Sequence, residues 1–277
     1  MKISVITASY NYEQYIGETI ESVLNQTYTD WEMIIVDDGS TDGSVEVIKS
    51  YNDPRIKLIE NGQNKGLKET LLTGIAQASG EWAAFLESDD LWTPDYLEKK
   101  VAIAKKYPKA ALIFNDCELF GDEERFEDVN GHRVPNRKWL RKQKFPKNIF
   151  YGFYVHNRIS TFSSVMCKKE PLQKLNFNTP IECLLDWWLW IQLAEKNEFY
   201  YIDEKLTKWR LHRQSYIQNT PPLRTPLALQ WKAYAMLGKK YLPFLVFSQI
   251  VWIFPTIKRK TRNFLVKQVW KKFFHHE

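Results

Sequence analysis

The chain has 277 residues and a formal net charge of +6, and 44% of its residues are hydrophobic. That length accommodates one large α/β domain, or a domain with an appendage, around a sizeable core. The distribution of the positive charge argues against a nucleic-acid-binding protein. Residues 258–277 carry the whole net charge, and the charges of residues 1–257 cancel.

Strands and helices alternate along the first half of the chain. The hydrophobic patterning predicts strands at 3–8, 32–36, 55–59, 82–86 and 110–115, and helices at 13–26, 44–51, 67–78 and 94–107. Such alternation predicts right-handed βαβ units, and therefore an α/β fold with a mostly parallel central sheet flanked by helices. A strand that begins almost at the first residue predicts that no signal peptide is present.

The second half of the chain is less regular. Residues 121–150 are charged and weakly periodic, which predicts a loop or lid. A strand is predicted at 160–166 and a Trp- and Leu-rich helix at 186–196. Three prolines within 221–226 mark a boundary, and a helix is predicted beyond it at 227–240.

The three cysteines show no Cys-x-x-Cys spacing and cannot all pair with one another; they are Cys117, Cys167 and Cys183. Reduced and mostly buried thiols are typical of a cytosolic protein. The cysteines therefore predict a cytoplasmic location rather than a disulfide framework.

Two acidic clusters follow apolar strands. Residues 33–36 lead into Asp37-Asp38-Gly39-Ser40-Thr41-Asp42, and residues 82–86 lead into Glu87-Ser88-Asp89-Asp90. In open α/β sheets, ligands bind just beyond the carboxyl ends of the strands. Several carboxylates at that edge repel one another unless a cation or a ribose hydroxyl lies between them. The two clusters therefore predict a site for a metal-bound nucleotide.

The order and spacing of these landmarks resemble the family 2 glycosyltransferases, inverting enzymes of the GT-A fold that use nucleotide-sugar donors. The matching motifs are Ser4-Val5-Ile6-Thr7-Ala8-Ser9-Tyr10-Asn11, Ser22-Val23-Leu24-Asn25-Gln26-Thr27, Ile34-Ile35-Val36-Asp37-Asp38-Gly39-Ser40-Thr41-Asp42, Asn64-Lys65-Gly66, Ala78-Ser79-Gly80-Glu81, Glu87-Ser88-Asp89-Asp90, Leu185-Asp186-Trp187-Trp188-Leu189 and Trp209-Arg210-Leu211-His212. The resemblance is dense over residues 1–110, weakens through 111–180 and returns at 185–189 and 209–212.

The resemblance implies a donor and metal site built on the two acidic clusters. Asp38 matches the residue that binds the base, and a carboxylate favours a base edge with an N–H, so uridine is the first expectation. Glu87-Ser88-Asp89 stands in the place of an Asp-x-Asp motif, with Asp89 as a ligand of Mn²⁺ or Mg²⁺ and Glu87 near the ribose. Glu87 is one methylene longer than the commoner Asp. Asp90 is expected to organise the loop.

The resemblance also implies a catalytic base and a second metal ligand. Asp186 matches the acid that deprotonates the acceptor hydroxyl, although Leu185 replaces the Glu that commonly precedes it. An N-cap role for Asp186 is the alternative, and Glu182 is a second candidate for the base. His212 is expected at the metal or diphosphate, with Arg210 offsetting phosphate charge. The remaining donor-site candidates are Ser9, Tyr10, Asn11, Lys65 and Ser88.

The C-terminal tail combines apolar and basic residues. Residues 241–257 are apolar but contain two prolines and are shorter than the ~20 residues that span a bilayer. Residues 265–274 then place apolar side chains on one helical face and basic ones on the other. This pattern predicts an interfacial helix at the inner face of the cell membrane, beside a glycan or lipid-linked acceptor. Packing on the catalytic domain, or in a homo-oligomer interface, is the alternative.

These patterns together predict one GT-A-type domain with an extension. Residues 1–115 form the nucleotide-sugar half, 116–220 the acceptor and catalytic-base half, and 221–277 a helical, aromatic and basic extension. The expected reaction is inverting transfer of a sugar in surface-polysaccharide or lipid-linked glycan assembly. A non-catalytic GT-A-like binding protein and a sugar-nucleotide nucleotidyltransferase are the alternatives. The absence of Gly-x-Gly-x-x-Gly disfavours a Rossmann dehydrogenase.

Overall fold

An eight-stranded sheet organises the part of the chain that the computed structural model describes, which is residues 1–125, 137–179, 184–213, 224–238 and 245. The strands are β1 Ile3–Ser9, β2 Trp31–Asp37, β3 Ile56–Glu60, β4 Trp82–Phe85, β5 Leu91–Trp92, β6 Ala110–Gly121, β7 Val165–Lys168 and β8 Glu198–Leu211. The helices are α1 Ile16–Leu24, α2 Ser44–Lys49, α3 Leu67–Gln77, α4 Tyr96–Lys106, α5 Arg137–Leu140, α6 Phe150–Val155, α7 Lys169–Gln173, α8 Leu185–Lys196 and α9 Arg224–Leu237.

The strand order in the sheet is β3-β2-β1-β4-β7-β6-β8-β5. The four strands from the first half of the chain, β3, β2, β1 and β4, are parallel, and so is the β6–β8 pair. The other neighbours are antiparallel because β7 runs against β4 and β6, and β5 runs against β8. The α/β fold predicted from the alternation is confirmed, with a sheet that is mixed beyond β4.

Helices cover both faces of the sheet, so alternate residues of β2 enter different cores. Ile34 and Val36 pack with α3 on one face. Met33 and Ile35 pack with α1 and α4 on the other. Burial on both faces explains why β2 is a continuous apolar run rather than an alternating one. The parallel register pairs Ser9 of β1 with Asp37 of β2, which brings the ends of the two strands to the same edge.

Most predicted elements of the first half agree with the structure to within a few residues at each end, but β6 runs six residues beyond the strand predicted at 110–115, and the short strand β5 is not predicted. The clearest difference lies in the second half, where β8 was not predicted. Its exposed residues Asp203, Glu204 and Lys205 interrupt the apolar pattern, but β6 pairs with β8 along almost its full length through several bulges. That long-range pairing, rather than local periodicity, forms the strand.

Two further differences concern the segment before β7 and the expected loop at 121–150. The strand predicted at 160–166 begins only at Val165, because Phe162–Ser164 form a 3-10 turn. Part of 121–150 is helical, as α5 and the start of α6 show. Each of these short helices packs a buried residue, Leu140 or Phe150, into the larger core, and this burial stabilises a helix too short to be predicted from periodicity.

Several predictions from the sequence lie wholly or partly outside the described residues. Cys117 and Cys167 are free and buried as expected, whereas Cys183 and Glu182 fall outside. The amphipathic segment of the tail also falls outside, as do residues 241–257 except Leu245. Among the helices of the described ranges, none combines the length and apolarity needed to cross a bilayer.

Candidate active site

The loops after β1 and β2 are joined by hydrogen bonds at the edge of the sheet. The Asn11 backbone N–H donates to Ser40 Oγ at 2.9 Å, and the Thr41 N–H donates to Asn11 Oδ1 at 2.8 Å. Asn11 adopts a φ of 58°, in the left-handed region that asparagine tolerates better than most residues. Asp37 accepts from the backbone of Gly39 and Ser40. Asn11 and Asp37 therefore fix the shape of this edge.

Asp38 is buried and its carboxylate holds the loop that precedes α3. It accepts from Asn61 Nδ2 at 2.8 Å and from the backbone N–H groups of Lys65 and Gly66 at 2.9 and 2.8 Å. Burial alone raises the pKa of Asp38, but the hydrogen bonds it accepts outweigh burial and leave the pKa below its usual value. Asp38 is thus an ionised carboxylate at the position from which the base was expected to be recognised.

Gly39 allows the same loop to approach closely. Its φ is +80°, and a Cβ built at this position would lie 2.7 Å from the backbone of Gln63. Only a residue without a side chain fits such a contact. Gly39 therefore allows the turn after β2 and the loop before α3 to pack together around Asp38.

The other donor-site candidates lie on this edge with different exposure. Ser9 is buried at the end of β1, and its hydroxyl has no hydrogen-bond partner among the described residues. Tyr10 is 41% exposed, and Lys65 is also exposed. Ser88 is buried within the second acidic cluster. The fold thus brings Ser9, Tyr10 and Asn11 beside Asp37, as the strand-end pattern predicted.

The second acidic cluster forms a turn directly after β4, closed by a hydrogen bond from Asp90 N–H to the Glu87 carbonyl. Glu87 and Asp90 both contact the hydroxyl of Thr161. Burial raises the pKa of Glu87 to about 7, and the charges of Asp89 and Asp186 add to the shift. Burial and the charges of Asp89 and Glu87 raise the pKa of Asp90 well above its usual value. Without a cation, the cluster therefore retains protons at near-neutral pH.

His212 lies against Asp89, with its Nε2 2.9 Å from Asp89 Oδ2. The imidazole packs on Tyr15 at a centroid distance of 4.6 Å and on the ring of Tyr12 at 5.8 Å. Burial raises the pKa of Tyr12 far above its usual value, and the nearby acids Asp89, Glu87 and Asp90 raise it further, so its hydroxyl keeps its proton. The structure thus brings together the two residues that the resemblance assigned to the metal.

Arg210 braces the acidic turn from the side. Its Nε donates to the Asp89 carbonyl at 2.8 Å, and its Nη2 donates to Glu18 at 2.6 Å. The guanidinium lies over both the Phe120 ring at 4.4 Å and the Tyr15 ring at 4.9 Å. Two of its nitrogens therefore already have partners in the protein. A cavity of about 420 Å³ lies beside it and is also lined by His212 and Arg213.

Asp186 lies in the first turn of α8. Its charge contributes to the raised pKa of Glu87, so the two carboxyls interact electrostatically. Asn157 Nδ2 donates to Asp186 Oδ2 at 2.6 Å. The next two residues, Trp187 and Trp188, are buried, and their indole N–H groups donate to backbone carbonyls. The two tryptophans thus anchor the helix in the core rather than offering faces to a sugar.

Sequence reasoning missed the 3-10 turn that supports the acidic cluster. Besides the contacts of Thr161, Ser163 Oγ accepts from the Glu87 N–H at 2.9 Å. The buried Lys100 donates to the carbonyls of Ser164 and Ile113, both at 2.8 Å, and so ties the turn to β6. A Thr-Phe-Ser-Ser sequence carries no motif that would reveal this role. Asn157, which holds Asp186, was missed for the same reason.

A divalent cation fits the donor set of this site. In the described part of the chain, no group of three or more His, Cys, Asp or Glu side chains forms a protein-only metal site. Asp89 and His212 nevertheless converge within 2.9 Å, and a cation that also binds phosphate oxygens takes only one or two protein ligands. The arrangement therefore fits a cation that binds together with a diphosphate.

The raised pKa of Glu87 predicts a pH dependence of stability in the metal-free protein. Between about pH 4.5 and pH 7 the folded state holds a proton that the unfolded chain releases, so stability is lost as the pH rises through this window. Between pH 5 and pH 7.5, we expect the free energy of unfolding of the wild type to fall by on the order of 2 kcal/mol more than that of the Glu87→Gln variant. Urea unfolding in EDTA measures this difference.

The control for this prediction is Glu118→Gln, since Glu118 is an exposed residue on β6. It should keep the pH dependence of the wild type. Equal pH slopes for the wild type and Glu87→Gln would show that Glu87 ionises normally in the folded state.

Comparisons with known proteins identify the family of this chain. The model of the family described as "Glycosyl transferase family 2" matches residues 4–174. A Bacillus subtilis protein named as a putative teichuronic acid biosynthesis glycosyltransferase, TuaG, is 31% identical over 220 residues, covering 78% of this chain and 82% of its own. The Escherichia coli UDP-Glc:alpha-D-GlcNAc-diphosphoundecaprenol beta-1,3-glucosyltransferase WfgD is 30% identical over 219 residues, covering 78% and 80%.

Solved structures share the fold. S. aureus TarS in complex with UDP-GlcNAc superposes with a TM-score of 0.68 at 18% identity, covering 99% of this chain and 80% of its own. The mannosyltransferase PcManGT from Pyrobaculum calidifontis, in complex with GDP-Man and Mn²⁺, has a TM-score of 0.56 at 17% identity and covers 99% and 81%. At these identities the likeness concerns the fold alone.

Proposed function

Because the chain belongs to glycosyl transferase family 2 and is a glycosyltransferase, we propose that it transfers a sugar from a nucleotide diphosphate donor to an acceptor hydroxyl with inversion at the anomeric carbon. The observation that carries this proposal is the convergence of three segments on one turn. His212 after β8 contacts Asp89 in the acidic turn after β4, and the charge of Asp186 at the start of α8 acts on Glu87 of the same turn.

The donor binds across the ends of β1, β2 and β4. In this proposal the ionised Asp38 carboxylate accepts a hydrogen bond from a base N–H, and a UDP-sugar is therefore the favoured donor. Ser9, Tyr10 and Asn11 line the neighbouring edge, and Lys65 follows the loop that Asp38 holds. Glu87 and Ser88 lie deeper in the site and contact the ribose side of the donor.

Asp89 and His212 hold a Mn²⁺ or Mg²⁺ ion in this proposal, with Glu87 and Asp90 behind them. The cation, when bound, neutralises charge that develops on the departing diphosphate. Arg210 keeps the Asp89 backbone in place and adds positive charge beside the site. Loss of protons from Glu87 and Asp90 accompanies cation binding, because a cation favours the charged form of each carboxyl.

Asp186 takes the proton from the acceptor hydroxyl as it attacks the anomeric carbon. The hydrogen bond that Asn157 Nδ2 donates to Oδ2 orients the Asp186 carboxylate for this role. Attack from the side opposite the departing diphosphate inverts the configuration. In this proposal residues 1–115 serve the donor, and residues 116–220 supply the base and the acceptor side, while Arg210 and His212 reach back to the donor side.

The acceptor we propose is a glycan or a lipid-linked sugar of cell-surface polysaccharide assembly. The name of the Escherichia coli relative specifies a diphosphoundecaprenol-linked acceptor, which is a lipid. A cytoplasmic protein with its basic, aromatic tail on the inner membrane surface would meet such an acceptor. Deleting residues 239–277 and fractionating cells tests this placement. If the same share of the truncated protein stayed with the membranes, the placement would be wrong. Gln230 packs in the core, so the deletion starts after α9.

A donor screen tests the proposed reaction. We expect a UDP-sugar with Mn²⁺ to stabilise the protein by about 2.7 kcal/mol at a hundred times its Kd, and the same donor to be slowly hydrolysed without an acceptor. EDTA should abolish the hydrolysis and most of the stabilisation. Stabilisation without hydrolysis would support the non-catalytic alternative. Release of pyrophosphate from a nucleoside triphosphate and a sugar phosphate would instead support a nucleotidyltransferase.

A further inference from the structure

Arg158 is a half-buried cation one residue from Asn157, and it has no acidic partner among the residues that the structure describes. Its guanidinium carbon lies 4.6 Å from the centroid of the Trp139 ring, and its Nε donates to the Gly152 carbonyl at 3.3 Å. Neither terminal nitrogen donates to any group of the described chain. Burial lowers the pKa of Arg158 to about 10, and no nearby acid offsets this effect, but the side chain still carries its charge at neutral pH.

Other described arginines differ from Arg158 in this respect. Those that pair with a carboxylate are Arg55 with Asp53, Arg137 with Asp116, Arg141 with Asp203 and Arg210 with Glu18. Arg213 is exposed to water. Among the arginines whose side chains the structure describes, Arg158 is therefore the one that loses part of its hydration without gaining an opposite charge, a loss of free energy that a bound anion would offset.

The fold holds the Arg158 side chain in a fixed place. Trp139 packs directly on α6, where a Cβ at Gly152 would lie 2.4 Å from its ring. The ring in turn supports the guanidinium through a cation–π contact. A guanidinium fixed against an aromatic face offers its free N–H groups as a planar fork, which matches the two oxygens of a phosphate or carboxylate.

We propose that Arg158, supported by Trp139, binds an anionic oxygen group of the acceptor whose hydroxyl meets Asp186. The placement rests on the proposed function, because it takes Asp186 as the base. Asn157 donates to Asp186 and Arg158 follows Asn157 in the chain, so the proposed subsite lies on the segment that also holds the base. In a sugar 1-diphosphate, a single sugar ring separates the hydroxyls from the phosphate. A uronic acid presents a carboxylate at a similar separation.

Calorimetric titration of the full chain in EDTA tests this subsite, since chelation removes cation-dependent diphosphate binding at Asp89. The probes are n-decyl diphosphate, n-decyl glucuronide and the uncharged n-decyl glucoside, each below its micelle concentration. Arg158→Met keeps the aliphatic contact with Trp139 and removes the charge. We expect at least tenfold weaker binding of an anionic probe to this variant and no change for decyl glucoside.

The matched control is Arg55→Met. Arg55 also lies over a tryptophan ring, at 3.8 Å from the centroid of Trp31, but it pairs with Asp53 and lies beside β3. This variant should bind every probe as the wild type does. If Arg158→Met fails to fold, Arg158→Lys keeps the charge without the fork and should weaken anionic binding several-fold.

The arms of the titration identify the source of the anion. A loss confined to decyl diphosphate assigns a phosphate-bearing acceptor, and a loss confined to the glucuronide assigns a uronic acid. The proposal is overturned if the wild type binds both anionic probes no more tightly than decyl glucoside, or if the Arg55 and Arg158 variants weaken them equally. Donor hydrolysis by the wild type is measured separately, and its absence would contradict the transferase reaction without changing the binding result.

Discussion

Asp186→Asn is expected to lower kcat for sugar transfer by about 10²–10⁴-fold, the usual contribution of a positioned general base. The amide is nearly the same size as the carboxylate and keeps α8 in place, because Trp187 and Trp188 anchor the helix through their own hydrogen bonds. It cannot take the acceptor proton. Metal-dependent donor binding should remain within twofold of the wild type, since Asp186 lies on the acceptor side. Transfer kinetics and donor titration measure the two effects.

Asp203→Asn provides the matched control for Asp186→Asn. Asp203 is an exposed aspartate of β8 that pairs with Arg141, so it undergoes the same chemical change on the surface. It should transfer sugar at the wild-type rate. The N-cap of α8 is Leu184, so Asp186 does not have the alternative role of capping the helix, and full kcat in Asp186→Asn would exclude it as the base.

Asp89→Ala is expected to lose both catalysis and metal-dependent donor binding. Removing one group that stabilises charge in the transition state commonly lowers kcat by about 10²–10³-fold. Here the change also leaves His212 without the carboxylate 2.9 Å from its Nε2. We therefore expect the Kd of the donor in the presence of Mn²⁺ to rise at least tenfold, while weak binding in EDTA stays unchanged. Calorimetry with and without the cation separates these terms.

The control for Asp89→Ala is Asp95→Ala, at a surface carboxylate just before α4 that pairs with Lys99. The Asp95→Ala protein should bind the donor with the same Kd as the wild type. An Asp89→Ala protein with unaltered Mn²⁺-dependent donor affinity would exclude Asp89 as the metal ligand. Loss of donor binding in Asp89→Ala, together with its retention in Asp186→Asn, would assign the two acids to different steps.

The two acids also differ in how the structure supports them. Asp89 lies in a turn that hydrogen bonds with Arg210, Thr161 and Ser163 hold in place. Its position therefore depends on residues far apart in the chain. Asp186 depends mainly on the buried tryptophans that follow it and on Asn157. Substitutions in the 3-10 turn should therefore affect the donor side of the site more than the acceptor side.

The amino-acid sequence by itself determined the first half of the fold and the location of the donor edge. The buried strands β1, β2 and β4 are continuous apolar runs that end in polar clusters, and their local pattern is enough to predict them. Since parallel strands end at the same edge, Asp38 and Asp89 could be assigned to one site before any contact was known. The motif order then indicated the family, which the comparisons confirmed.

Only the tertiary structure decided how that site is completed. His212 contacts Asp89, which lies 123 residues earlier in the chain, and this contact depends on β8. The charged residues in the middle of β8 interrupt its apolar pattern, so the strand cannot be predicted from periodicity. No local pattern in the sequence predicts that Thr161 and Lys100 support the acidic turn. The same holds for the ion pair of Arg210 with Glu18 and for the unpaired charge of Arg158. Each is a relation between segments distant in sequence, and the long-range packing of β6, β7 and β8 creates it.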